Sequence, residues 1–315
     1  MRRKGFTLVE LLVVIGIIAV LMGVLLPTLN TVKRTAQRVV CGSNEAGLGK
    51  AMLLYANDHD GDFPKAGGAG AKWSTAGKIS SWRDTTGAQY GSPGAITSVT
   101  ITSSLFYLIK YEDVTPSQFV CKGDAGIREF KLSDCTALPA EIDDITDVWD
   151  FGCGAEGTAW PGKYNSYAYH DPYETVAITR SFPLGSYSDP ASPVLADRNP
   201  FLDKNGTYAV TPPAGETLPG WVRETYSDPY KTGNAAAHQR EGQNVLYCDS
   251  HVTFAKLANV GITKDNIWKH WNTLPPPDPI ARLKELGVVA PALDGDGGPY
   301  SERDAYLVSE RNDRP

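Results

Sequence analysis

Residues 11–26 read LLVVIGIIAVLMGVLL, a nearly unbroken apolar run that restricts the fold more than any other segment. Counted from Phe6 the stretch is 21 residues long. As a helix it spans about 30 Å, the hydrocarbon thickness of a bilayer. Arg2, Arg3 and Lys4 precede it, and Gly5-Phe6 form the junction. One carboxylate, Glu10, sits inside it, where an ionised side chain costs roughly 2.5 kcal/mol or more at the bilayer centre. A cleaved secretory signal has a shorter apolar core and ends at a small-residue site. This run ends in Leu25-Leu26-Pro27 instead. A plain anchor explains the length but neither Glu10 nor the Gly5-Phe6 junction.

The leader Met1-Arg2-Arg3-Lys4-Gly5, followed by Phe6-Thr7-Leu8-Val9-Glu10-Leu11-Leu12-Val13-Val14-Ile15, resembles the type IV prepilin family, which includes the type II secretion pseudopilins. The resemblance implies cleavage between Gly5 and Phe6 by a prepilin peptidase, and methylation of the new amine on Phe6. It also implies that Glu10 pairs with the N-terminal amine of a neighbouring subunit. A buried amine and a buried carboxylate are each costly alone, so pairing them favours assembly in a fixed register. Charge does not orient the segment, because Lys33, Arg34 and Arg38 balance the basic leader. The resemblance places the N-terminus in the cytoplasm and the residues after about 30 outside.

Apolar positions continue past Pro27 at helical spacing: Leu29, Val32, Ala36, Val39, Val40, Leu48, Ala51, Met52 and Tyr55. One long helix over about residues 7–57 is expected, apolar all round at first and amphipathic later. Pro27 removes a backbone donor and should bend it. Gly61 and Pro64 suit a helix stop. Asp58-x-Asp60-x-Asp62 looks like the start of a calcium loop, but Ala69 stands where the bidentate Glu is needed, which favours a polar stop.

The rest of the chain is rich in Gly, Pro, Tyr, Ser and Asp. Strand-like runs occur at 95–101, 118–121, 164–169, 175–178, 192–196 and 243–254, separated by turn residues. Residues 105–111 read as a short helix or a strand. The net charge is −6 with scattered basic residues, which argues against a nucleic-acid surface. Walker, Gly-x-Ser-x-Gly and His-Glu-x-x-His signatures are missing.

The stretch from Asn234 to Val252 holds His238, a Gly turn, an alternating strand, Asp249 and His251. It resembles the C-terminal motif of pilin-like proteins of planctomycetes and related bacteria: a His, about nine residues, then Asp-Gly. Here the gap is ten residues and Ser250 stands in place of Gly. Residues 41–44, 54–58, 261–268 and 304–308 look like that group too. His238, Asp249 and His251 are chemically suited to zinc or manganese. The alternative, which the pattern favours, is a hydrogen-bonded hairpin with Asp249 in its turn.

An exported domain permits disulfides among Cys41, Cys121, Cys135, Cys153 and Cys248, and five is odd. Pairing is not readable, although Cys135 and Cys153 are placed to close a short loop. Residues 274–279 are a Pro-rich linker before a helical piece at 280–286. The acidic, Gly-rich 294–299 reads as an exposed loop.

The expected fold is α+β: a long N-terminal transmembrane and amphipathic helix packed on an antiparallel β-sheet domain, pilin-like. The expected segments are a leader (1–5), the helix (6–58, membrane-spanning over 6–26), the outer domain (59–255) and a C-terminal extension (256–315). By resemblance the chain is a structural filament subunit of a type IV pilus or type II secretion pseudopilus, not an enzyme. Neither cofactor nor metal is expected. Its partners are the prepilin peptidase, other pilin or pseudopilin subunits and the inner membrane, crossed once, with the outer domain periplasmic or in an extracellular filament. Three alternatives stand beside this. One is a minor or tip subunit whose outer domain binds a surface, polysaccharide or secretion substrate. Another is an anchored metal hydrolase using His238, Asp249 and His251. The last is an anchored protein that never polymerises.

Overall fold

A computed structural model describes residues 8–67, 71–73, 98–135, 142–151, 161–173, 181–200, 234–262, 265–268, 299 and 301–309. Helix α1 (Leu8–Asp58) runs 51 residues without interruption and contains Pro27. At 1.5 Å per residue it is about 75 Å long. The hydroxyls of Thr28 and Thr31 donate to the carbonyls of Leu25 and Pro27, adding local bonds around the proline. Burial begins at Cys41 and continues through Glu45, Leu48, Gly49, Met52, Tyr55 and Ala56, one stripe at helical spacing. The helix stops as expected: Gly61 at φ +91° donates to the Ala56 carbonyl at 2.8 Å.

The domain core is a five-stranded antiparallel sheet. Its strands are β3 (Tyr167–His170), β4 (Pro193–Asp197), β5 (Gln243–Tyr247), β6 (Val252–Ala255) and β7 (Leu307–Val308), in spatial order β6-β5-β4-β3-β7. A separate two-residue parallel pair joins β1 (Lys72–Trp73) to β2 (Ser98–Val99). Leu48, Met52 and Tyr55 of α1 share one core with Tyr167, Tyr169, Leu195 and Leu246. Ala168, Ala196, Val245 and Leu307 point into a second core with Ile267, Trp268 and Ala305. Both faces of the sheet are therefore covered, which is why its strands read as continuous apolar runs. Gly49 marks the closest approach of helix and sheet, since a Cβ there would lie 2.6 Å from Leu246 Cδ1.

Three expectations change. Within the extension expected at 256–315, the described residues join the sheet domain: Leu307-Val308 adds the edge strand β7, and Trp268 bridges Tyr306 over the far face. The strand expected at 95–101 is cut short, because Thr100 caps α2 (Ile101–Tyr111), its side chain accepting from the Ser103 amide. The run 118–121 begins inside a 3-10 turn, Pro116–Phe119, which Pro116 starts. The readings at 175–178, 274–279, 280–286 and most of 294–299 lie outside the described residues.

The β5–β6 turn carries a local cost. Ser250 donates its amide to the Tyr247 carbonyl at 2.8 Å and holds φ +69°, a left-handed conformation that favours glycine. Ser250→Gly is expected to stabilise the domain by up to about 1 kcal/mol, read as a rise in the unfolding midpoint of the detergent-solubilised chain. A lower midpoint would contradict it.

Burial raises Asp150 to about 6 and Asp171 to about 7. The folded chain thus holds protons that the unfolded chain releases near 3.8. Their stabilisation is complete below pH 4 and is lost as pH rises toward 7. His170, pushed down to about 4 by burial, acts oppositely, losing stability as pH falls from 6.5. Asp171→Asn should therefore raise the melting temperature at pH 8 by an amount equivalent to about 2 kcal/mol or more, and change it little at pH 4. An equal shift at both pH values would refute this assignment.

Candidate functional site

Two regions stand out from the packed domain. The first is the bare half of α1. Leu8, Leu12, Ile15, Val20, Leu25 and Leu29 are all exposed, and none of the most apolar 18-residue stretch is covered by the rest of the chain. By length and composition it is the one helix among the described residues able to cross a membrane. An apolar cylinder of this kind is stable only in lipid or against other apolar surfaces. Glu10 lies in its first turn, where the helix dipole favours a carboxylate. Gly5 and Phe6 lie outside the described residues.

The second region is polar and sealed between α1 and the sheet. Cys41 of α1 is disulfide-bonded to Cys121, with Cα atoms 5.1 Å apart, tying helix to domain across 80 residues of chain. A crosslink of that span restricts the unfolded chain by about 4 kcal/mol. His238 ends the 3-10 turn Ala236–His238, and its Nε2 lies 3.7 Å from Cys121 Sγ. The same nitrogen is 3.2 Å from Asp197 Oδ2 at the end of β4. Asp197 Oδ2 also accepts the Asn244 amide at 2.7 Å, and the Asn244 side chain donates to the Arg38 carbonyl. Gly123 is required here, since a Cβ would sit 2.3 Å from the Ala237 carbonyl and 3.1 Å from His238 Nδ1.

One turn along α1 from Cys41, Glu45 is wholly buried, and neither carboxylate oxygen has a hydrogen-bond partner among the described residues. Asp197 Oδ1 is likewise buried and unpartnered. Burial, and then the charge of Asp197, push the Glu45 carboxyl well above the usual range. Both effects favour the neutral form of the Glu45 carboxyl over its charged form.

The trio His238, Asp249 and His251 is not assembled. His238 is buried in this cluster, while Asp249 and His251 are exposed in the β5–β6 turn and hydrogen-bonded to each other. His251 stacks on Tyr247 at 4.3 Å. The stretch is thus a hairpin, with the two His residues on different sides of the fold. Asp62, in the string compared with a calcium loop, accepts from the Tyr187 hydroxyl at 2.6 Å. Cys135 is also disulfide-bonded, and Cys153 lies outside the described residues. Cys248 is free and buried.

The sequence signalled Glu10 clearly but not Glu45, whose charge reads as part of the polar face of the helix and which the fold instead buries completely. Asp197 gave no signal, because it ends an apolar strand where a turn acid is ordinary.

Residues 1–26 match the family described as the prokaryotic N-terminal methylation motif. The chain is 34% identical over 64 residues to the competence protein ComGC of Bacillus subtilis (strain 168), a match covering 20% of this chain and 65% of that protein. The chain thus spans just under two thirds of that relative's length. No solved structure matches. From Leu8 onward the methylation motif falls on the segment of α1 that the fold leaves bare, and together with the similarity to the competence protein it makes the N-terminal part of this chain similar to type IV pilin-like proteins.

Proposed function

We propose that the protein is a structural subunit of a type IV pilus-like or type II secretion pseudopilus-like filament. It is cleaved after Gly5, methylated on Phe6 and assembled through α1. The observation that carries this reading is the uncovered apolar half of α1 with Glu10 in its first turn. Before assembly the bilayer covers that surface, and the chain is anchored by a single span with its N-terminus in the cytoplasm. In the filament, neighbouring helices cover it. The Phe6 amine of one subunit neutralises Glu10 of the next, removing two desolvation costs at once and fixing the axial register. The folded domain stays outside the membrane and decorates the filament. Its work is contact, not turnover: the titratable cluster at His238 is sealed from solvent, which suits a role in holding the fold.

Intact mass and N-terminal sequencing of the protein from native membranes should give a chain beginning at N-methyl-Phe6. A chain retaining Met1, or cut beyond Pro27, would overturn the proposal. Glu10→Ala should insert and be processed normally yet give at least about tenfold fewer filaments, since an unpaired buried amine costs several kcal/mol. Wild-type filament yield from Glu10→Ala would remove the pairing step.

A further inference from the structure

The cluster sealed under α1 has the donors of a transition-metal site. Cys41 Sγ, Cys121 Sγ and one His238 ring nitrogen lie within 4.8 Å of one another, all buried. Asp197 Oδ2 meets His238 Nε2 as a fourth donor at 3.2 Å. In tetrahedral zinc with bonds of about 2.3 Å to sulfur and about 2.0 Å to nitrogen and oxygen, the ligand edges are about 3.6 Å for N···S and about 3.3 Å for N···O. The observed edges from Nε2 are 3.7 Å to Cys121 Sγ and 3.2 Å to Asp197 Oδ2. To admit a metal the two sulfurs, bonded to each other here, must separate, and the Asn244 side-chain amide, 3.4 Å from Nε2, must turn away from that nitrogen. The surroundings also favour a cation: Asp197 Oδ1 is buried with no hydrogen-bond partner among the described residues, and Asn244 fixes Oδ2 from behind.

We propose that Cys41, Cys121, His238 and Asp197 form a redox-gated zinc site that holds α1 to the sheet while the cysteines are reduced. The disulfide replaces the metal when they are oxidised. In the reduced chain two thiols bind one divalent zinc ion and release two protons, with neutral imidazole and the Asp197 carboxylate completing the shell. Oxidation by a disulfide-bearing oxidant removes two electrons from the zinc-bound thiolates, forms the Cys41–Cys121 bond and frees the zinc as a divalent ion, while the oxidant's disulfide accepts the two electrons and takes two protons from solvent to become a dithiol. Both states pin the same helix residue to the same loop, so the domain keeps one docking geometry on either side of the change. This inference stands apart from the filament reading.

The test uses the full chain in detergent, reduced with a phosphine and titrated with cobalt(II) as the spectroscopic substitute for zinc. One cobalt per chain is expected, with intense tetrahedral bands and thiolate-to-metal charge transfer that vanish on reoxidation. Cys248→Ser should leave this unchanged. His238→Gln keeps the disulfide and should weaken binding by more than about 100-fold, because even loss of an outer-shell partner costs 10–100-fold. A reduced, folded chain that binds no cobalt overturns the proposal, as does a spectrum that His238→Gln leaves unaltered. If reduction alone unfolds the chain, added zinc must restore the fold; failure to do so overturns it as well.

Discussion

The stripe of α1 from Cys41 to Ala56, laid on β3, β4 and β5, is the contact on which everything else depends. It buries apolar side chains and a carboxylate on the same helix face. It also fixes where the bare half of the helix points, because a continuous helix transmits the orientation of its packed half to its free half. Gly49 lets the two backbones come close enough for Leu246 to fill the groove. The Cys41–Cys121 bond then holds the start of the buried stripe, the point where leverage from the long free arm is greatest.

Much of this was legible in the residues. The apolar run, the carboxylate within it and the switch from all-round to one-sided hydrophobicity located the helix and, to within a residue, its C-terminal end. The strands β3, β4, β5 and β6 follow from short apolar runs between turn residues. What was not legible depended on distance along the chain. Leu307-Val308 is too short to announce itself as a strand, and only β3 gives it a partner. The pair Asp249 and His251 looked like ligands because spacing of two places side chains on one face. The tight turn after Tyr247 takes them out of regular strand geometry and bonds them to one another.

The polar cluster was hidden for a different reason. Its members come from α1, the loop after Phe119, the end of β4 and the turn before β5, so no local pattern joins them. Local sequence reads Glu45 as one of the polar residues off the apolar stripe, and does not show that it is buried or what it faces. The fold places it beside a second carboxylate, Asp197, which meets the His238 imidazole, and that imidazole in turn meets Cys121 Sγ. Such concentrations of buried polarity are expensive, and chains retain them where they specify one arrangement over its competitors.

The edge strand β7 carries a consequence for the order of folding. It pairs with β3, more than a hundred residues earlier in the chain. Its neighbours Ile267 and Trp268 seal the sheet's far face. Until residues 307–308 are in place, one side of β3 has open hydrogen bonds. Contacts this distant form late, after the entropy of closing a long loop has been met. The domain therefore locks only when nearly the whole described chain is in place. Completion of the sheet acts as a check on integrity: a chain truncated before β7 presents an unpaired edge on β3, a feature that marks a chain for aggregation.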